Sequence, residues 1–151
     1  MTTRNAYHYT ESGLDNVIIH GISQVVDDAG DTVLNIPNVN DLHRAIAQAI
    51  VSKPSGVSGK ELRFLRTEMG MTQAELAGMI HREPLAISRW ERSETPVDSN
   101  AETLIRLHAV EVLKLEMDAS VKEISAWATP RAEEIPINID GSDPREYKIA
   151  A

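Results

Sequence analysis

Three of the Ser/Thr-x-x-Glu pairs between residues 58 and 127 are interpreted as starts of short helices. The pairs are Ser58 with Glu61, Thr72 with Glu75, and Ser120 with Glu123. In such a pair the hydroxyl accepts a hydrogen bond from the backbone N–H three residues later. The Glu carboxylate accepts one from the backbone N–H of the Ser or Thr, so each pair marks the start of a helix. The sequence therefore predicts helices over 58–69, 73–80 and 120–127.

Two more helices are predicted from other signals. Pro84 suits the first turn of a helix that runs to about Arg92, because its fixed φ is already helical. Asp98 or Ser99 starts a longer helix to about Met117. The predicted buried side of that helix consists of Leu104, Leu107, Val110 and either Leu113 or Leu115.

The first part of the chain predicts a small ββα module. The β-branched segments 17–22 and 32–36 flank an Asp- and Gly-containing turn at 27–31, which indicates a hairpin. A helix capped by Asn40 runs to about Ser52 and covers the hairpin. The expected core is Val17, Ile19, Val33 and Ile36 packed on a helical stripe of Leu42, Ile46, Ala49 and Ile50.

Two breaks set the predicted domain boundaries. The Pro-, Gly- and Ser-rich segment 53–59 is typical of a linker, and a second break follows residue 127. The predicted organisation is a ββα module at 1–52, a linker at 53–59, a helical domain at 60–118, and a C-terminal helix and tail at 119–151. The predicted fold class is mainly α with a small N-terminal ββα module.

Composition excludes several classes of function. The chain has no cysteine, so disulfides, thiol nucleophiles and zinc sites that need thiolates are excluded. It has no P-loop, GxSxG or HExxH motif, and we expect neither an enzyme nor a cofactor, metal or catalytic residue. Apolar runs are too short to span a membrane, and residues 1–13 lack the apolar core of a secretion signal. The expected location is the cytoplasm, with no membrane partner.

The net charge of −8 argues at first against nucleic acid as a partner. Residues 60–92 are less acidic than the whole, because they hold six basic and five acidic residues. A DNA-binding interpretation must therefore place a small basic face on an acidic molecule. It predicts modest, salt-sensitive affinity for each monomer.

The sequence over 62–91 resembles the Xre/lambda-repressor-like helix-turn-helix family. That family has a helix, then TQ-x-x-LA, a turn, and an IS-x-WE helix. Here TQAELA occupies 72–77 and ISRWE occupies 87–91. The resemblance covers about 58–118 and implies a lambda-repressor-like helix-turn-helix domain that binds double-stranded DNA.

The resemblance implies which residues contact DNA. The start of the second helix faces a phosphate, and the third helix lies in the major groove. Arg89 points away from the core positions Ile87 and Trp90, so it reaches guanine or phosphate. The full set of expected contacts is Thr72, Gln73, Arg82, Glu83, Leu85, Ser88, Arg89 and Arg92.

The chain departs from the family pattern at the turn and at the start of the third helix. His81 and Arg82 replace a Gly and an apolar residue, and Ser93 replaces the Gly that usually follows IS-x-WE. Leu85 and Ala86 stand where Gln and Thr are frequent. Leu85 cannot form a bidentate hydrogen bond to adenine but can touch a thymine methyl group. Glu83 adds a negative charge where DNA would approach.

The N-terminal module is similar to MqsA-type (YgiT-type) antitoxins, through the segment YTESGLDNVIIHGI at 9–22. In that family the N-terminal unit binds zinc through CxxC pairs and grips a ribonuclease toxin. This chain has no cysteine, and His8, His20 and His43 are too scattered in sequence to replace the zinc ligands. A cognate toxin is therefore one candidate partner of the module, and a metal is not expected.

We expect a DNA-binding transcriptional regulator, a repressor, that binds a palindromic operator as a homodimer. Autoregulation as the antitoxin of a type II pair is one form of this function. The alternative is a toxin-neutralising protein-interaction module with little DNA affinity. The expected dimer contact lies after Asn100, through Leu113, Leu115 and Met117 or through the tail segment 135–140.

Overall fold

The computed structural model describes residues 5–22, 24–26, 28–30, 32–34, 36–128, 135–143 and 145–150. They fall into two compact units. Unit 1 comprises Met1–Ile46 and Ile135–Ala151, and unit 2 comprises Ala47–Glu134. The described chain is mainly helical, as predicted, with its strands in unit 1. None of the helices in these ranges is long and apolar enough to cross a membrane.

Unit 1 contains two sheets and most of one helix. Its elements are β1 Asn5–His8, β2 Val17–Ile22, β3 Gln24–Val26, β4 Thr32–Leu34, α1 Val39–Val51, β5 Ile137–Asp140 and β6 Lys148–Ile149. The larger sheet has the order β1-β2-β5-β6, and β3 pairs with β4 in a separate two-stranded sheet. The last residues of α1 belong to unit 2.

The predicted pairing of 17–22 with 32–36 is wrong. Strand β2 pairs antiparallel with β1 and parallel with β5, and Ile19 lies opposite Ile139. Strand β4 pairs with β3, with Val26 opposite Thr32. The turn holds Gly30 at φ 84, as its sequence suggests. A short turn closes the residues directly beside it, and 17–22 lies too far upstream to be its partner.

The C-terminal segment that the sequence left as a tail completes the larger sheet of unit 1. Strands β5 and β6 are antiparallel neighbours. Directly before β6, the Tyr147 backbone N–H donates to Asp41 Oδ2 at 3.0 Å, and the Tyr147 hydroxyl donates to the Pro37 carbonyl at 2.5 Å. Burial, with a contribution from Asp41, raises the pKa of Tyr147. These bonds fix the chain end to the start of α1.

The core of unit 1 is aliphatic. Its fully or nearly fully buried side chains include Leu14, Val17, Ile19, Ile22, Leu42, Ile46, Ile137 and Ile139. Burial of Val17, Ile19, Leu42 and Ile46 is confirmed, whereas Ile36 is only half-buried. The side chain of Val33 lies outside what the structure describes. Ile50 is buried too, but it belongs to unit 2.

Unit 2 is built from short helices that start where the sequence predicts. They are α2 Gly59–Glu68, α3 Gln73–Met79, α4 Pro84–Glu91, α5 Ser99–Leu113 and α6 Val121–Trp127. The three predicted capping boxes are confirmed at the starts of α2, α3 and α6. Pro84 lies in the first turn of α4, and Asp98 caps α5 by accepting from the Ala101 N–H at 3.0 Å.

The predicted buried side of α5 is only partly correct. Leu107, Val110 and Leu113 are half-buried, and Leu115, just beyond the helix, is buried. The core contacts of α5 are made by Ala101, Ile105 and Ala109, and Leu104 is 52% exposed. The helix also ends earlier than expected, at Leu113, because Lys114 adopts a left-handed conformation with φ 53. The inward side of α5 includes the charged residues Glu102 and Arg106, which the spacing of apolar residues does not predict.

The central position of β5 yields a stability prediction for unit 1. Ile139 is 0% exposed, so Ile139→Ala removes buried volume and should cost about 2–5 kcal/mol of local stability. Ile149, directly opposite on β6, is 46% exposed, and Ile149→Ala should cost about 0.5 kcal/mol or less. Hydrogen exchange of the β2 amides measures both changes. Equal effects of the two substitutions would contradict the pairing of β5 with β2.

Candidate nucleic-acid interface

The turn between α3 and α4 keeps the conformation that a glycine usually supplies. His81 has φ 58, and the Arg82 N–H donates to the Ala77 carbonyl at 2.9 Å, which closes the end of α3. Ser93, after α4, also has φ 58. Each of these residues pays roughly 1–2 kcal/mol for the left-handed region. The turn geometry is therefore retained without the glycines, at a cost in strain.

Helix α4 has one buried face and one exposed face. It packs on α2 and α3, with Ile87 at 0% and Trp90 at 5% exposure. On the other side Leu85 and Arg89 are exposed, with Ser88 half-buried between the two faces. No hydrogen bond or ion pair to the Arg89 side chain occurs within the described ranges. The sequence argument predicted this orientation of Arg89 from its position between Ile87 and Trp90.

An ion pair between the half-buried Arg66 and the buried Glu91 fixes α4 to α2. Arg66 Nε donates to Glu91 Oε2 at 2.7 Å, and Arg66 Nη2 donates to Glu91 Oε1 at 2.9 Å. The bidentate bond raises the pKa of the Arg66 guanidinium. Gln73 Nε2 donates to the same carboxylate at 3.2 Å, so the first residue of α3 is joined to the last residue of α4. Arg66 and Glu91 were not among the predicted site residues.

The backbone at the start of α2 also lies very close to the backbone at the end of α4. A Cβ placed on Gly59 would lie 2.3 Å from the Trp90 carbonyl oxygen and 2.8 Å from that of Glu91. Only glycine allows the first turn of α2 to reach the end of α4 at this distance. Gly59 was predicted to be part of a linker, and it is instead a packing residue.

Several predicted contact residues already have partners. Arg82 Nη2 lies 3.1 Å from Asp98 Oδ2, and its guanidinium carbon is 5.8 Å from the centre of the Trp90 ring. Arg92 Nη1 lies 3.3 Å from Glu94 Oε1. Both ion pairs are solvent-exposed, so each is weak and open to exchange with a phosphate.

Of the two N-cap residues in the predicted site, Thr72 forms capping hydrogen bonds with its side chain and Glu83 does not. The Thr72 hydroxyl accepts from the Glu75 N–H at 3.1 Å, and the Glu75 carboxylate accepts from the Thr72 N–H. Glu83 is the N-cap of α4, but its side chain makes no capping hydrogen bond and is exposed. An exposed carboxylate that does not cap the helix therefore stands at the start of α4.

A buried cluster of charged groups that sequence reasoning missed holds the predicted linker in place. Arg106, at 0% exposure, donates to the carbonyls of Lys53 at 2.7 Å and Val51 at 3.3 Å, and also to the Ser55 carbonyl. Arg106 also lies 3.3 Å from Glu102, one helical turn away on α5. The segment that joins α1 to α2 is therefore held by α5 rather than being free.

The carboxylates of this cluster are also paired. Glu102 accepts from the Val57 N–H at 2.6 Å, and Lys53 Nζ lies 2.8 Å from Glu61 Oε1. Burial raises the pKa of Glu102 and lowers the pKa of Arg106. The sequence signal was the Glu–Arg pair at i, i+4 within an apolar helix, which is the geometry of a helical ion pair.

Removing one member of the cluster should be costly. Arg106→Met leaves Glu102 buried and the carbonyls of 51–55 without donors, so unit 2 should lose about 3–5 kcal/mol. Arg92→Met breaks an exposed ion pair and should cost about 0.5 kcal/mol or less. Trp90 and Trp127 are the only tryptophans and both belong to unit 2, so tryptophan fluorescence in urea reports on this unit. Equal midpoints for the two variants would show that Arg106 is dispensable.

Part of the predicted dimer surface is used within the monomer. Leu115 is 8% exposed, and Ile137 and Ile139 are buried in the sheet of unit 1. Leu113 and Met117 are half-buried. Leu115, Ile137 and Ile139 are therefore not available for the predicted dimer contact through Leu113, Leu115 and Met117 or through 135–140. The exposed Ile135 and the half-buried Leu113 and Met117 keep the rest of that prediction open.

The histidines considered as replacements for a zinc site have separate partners. Tyr9 Oη lies 2.8 Å from His43 Nε2, and His20 Nε2 lies 2.9 Å from Asn138 Oδ1. His8 is bonded to the Asp15 carbonyl. Within the described part of the chain, no three His, Asp or Glu side chains lie close enough together to hold a metal ion.

The comparisons with known proteins identify no relative. No family model matches this chain, and neither a curated protein nor a solved structure matches it.

Proposed function

We propose that this chain is a sequence-specific transcriptional regulator, a repressor that binds a palindromic operator in double-stranded DNA as a homodimer. Its reading element is α4, placed in the major groove. Helix α3 supports α4 from behind, and Gln73 lies at the junction of the two helices.

The observation that carries this proposal is the division of α4 into two faces. Ile87, Trp90 and Glu91 hold the helix on the body of unit 2. Arg89 projects from the opposite side without a partner in the described residues. An exposed, rigidly mounted guanidinium matches the O6 and N7 acceptors of guanine or a phosphate.

The distribution of charge also favours the exposed face of α4 as the DNA-binding surface. Two of the acidic residues in 60–92, Glu61 and Glu91, are buried in ion pairs with Lys53 and Arg66. The exposed basic residues of that segment are Lys60, Arg63, Arg82, Arg89 and Arg92. Its remaining acidic residues are Glu68, Glu75 and Glu83. The accessible surface of α2–α4 is therefore more basic than the sequence total suggests.

Substitution of Arg89 tests the proposal. Arg89→Ala should weaken binding to the selected operator by about 1–3 kcal/mol, because one bidentate contact is lost. If Arg89 reads guanine, the preference at one position of each half-site relaxes. If it contacts only phosphate, the loss is uniform across sequences and the salt slope falls by about one.

The control for Arg89→Ala is Arg145→Ala, which removes one positive charge from an exposed residue of unit 1. It should change affinity only through net charge. Fluorescence anisotropy over a range of salt concentrations measures both variants. An unchanged operator affinity for Arg89→Ala would refute the assignment of this face. A chain that shifts no DNA but forms a stable complex with another protein would favour an interaction module instead.

The length of α4 predicts how many copies bind. A helix of this length, Pro84–Glu91, spans roughly 12 Å and faces only a few base pairs. Two copies on half-sites about 10 base pairs apart place both helices on one face of the duplex. Sedimentation of the chain with its operator should therefore give two chains for each duplex, whereas a one-to-one complex at saturating protein would exclude the dimer.

A further inference from the structure

An exposed leucine lies at the start of the proposed reading helix. Leu85 is 53% exposed. Within 47–128, which is described without gaps, the other large apolar side chains with high exposure are Leu104, Val112 and Val121. Those three lie on α5 and α6. Leu85 is thus the exposed large apolar side chain of the α2–α4 segment.

The exposed Leu85 side chain lies on the same face of α4 as Arg89. The two residues are i and i+4 on α4, so they are neighbours on one face, with Cβ atoms about 5–6 Å apart. Stacked bases are about 3.4 Å apart along each strand. A helix that presents Arg89 to one base pair therefore presents Leu85 to a base pair one or two steps away.

The chemistry around Leu85 fits a base edge better than the phosphate backbone. The first turn of α4 contains no cation, and it is preceded by the exposed carboxylate of Glu83. The basic residues of the exposed face, Arg89 and Arg92, come later. An apolar first turn with an exposed carboxylate at its N-cap is unfavourable beside phosphates. In the major groove the apolar group available to an aliphatic side chain is the 5-methyl group of a pyrimidine.

We propose that Leu85 is a specificity-determining residue that reads a pyrimidine 5-methyl group one or two base pairs from the contact of Arg89. The inference rests on the proposed DNA-binding function and names the chemistry that its reading helix recognises. Thymine carries this methyl group in unmodified DNA, and 5-methylcytosine carries it in methylated DNA. Leu85 contributes packing against the methyl group, while Arg89 contributes the hydrogen bonds.

The test first needs the preferred DNA sequence. Selection by the full-length chain from a pool of random duplexes supplies it, and anisotropy then measures affinity. Each thymine of the selected half-site is replaced in turn by uracil, which pairs like thymine but lacks the methyl group. A second set replaces the same thymine by cytosine or by 5-methylcytosine, with guanine opposite.

We expect loss of the methyl group to weaken DNA binding at one base position only, and only when Leu85 is present. Loss of one buried methyl group should weaken binding of the unsubstituted chain about fourfold for each half-site. 5-Methylcytosine should bind about fourfold more tightly than cytosine at that position. Leu85→Ala should bind the members of each pair equally. Leu104→Ala, whose leucine is 52% exposed on α5, should keep the full sensitivity to the methyl group.

Three outcomes would overturn the inference, and one of them also removes its basis. The first is a selected sequence at which no thymine-to-uracil change weakens binding. The second is a methyl effect of the same size in Leu85→Ala as in the unsubstituted chain. The third is a selection that enriches no sequence, and this result alone would also overturn the proposed function.

Discussion

The geometry of unit 2 depends on the hydrogen bonds and the ion pair made by the buried guanidinium of Arg106. It donates to backbone carbonyls of the segment that leads from α1 to α2, and it pairs with Glu102 on the same helix. Glu102 in turn accepts from the Val57 N–H, just before the cap of α2. Where α2 begins is therefore set by α5. Because Gly59 then lies against the last carbonyls of α4, the placement of the exposed face follows from this cluster.

Such a cluster contributes little net free energy to folding, because its charged groups lose their hydration when they are buried. Burying Arg106, Glu102, Lys53 and Glu61 removes four charges from water, and well-packed apolar side chains often stabilise as well or better. Apolar side chains could not, however, satisfy the carbonyls of the irregular segment that Arg106 bonds. The charged groups therefore fix one path for the chain through its packed interior. The cluster therefore defines the path of the backbone more than it stabilises the fold.

The sequence predicted what depends on neighbouring residues and missed what depends on distant ones. The starts of α2, α3 and α6 need only a hydroxyl and a carboxylate three residues apart, and Arg89 faces outward by helical geometry alone. The pairing of Ile19 with Ile139 joins residues at opposite ends of the chain, and no local pattern marks it. Leu104 was misplaced because the buried charges on α5 violate the rule that orients an amphipathic helix.

The acidity of the chain need not weaken the discrimination that the proposed function requires. Net charge acts on every phosphate alike, so it lowers affinity for operator and for other DNA by similar factors. If Arg89 reads guanine, its contact and that of Leu85 form only where guanine and a pyrimidine methyl group lie one or two base pairs apart. These contacts then change the ratio of the affinities for operator and for other DNA. The exposed carboxylate of Glu83 would increase that ratio further by disfavouring registers that bring α4 onto phosphates. Under the proposed function, the acidic chain would therefore have low affinity for DNA in general and would keep its preference for one sequence.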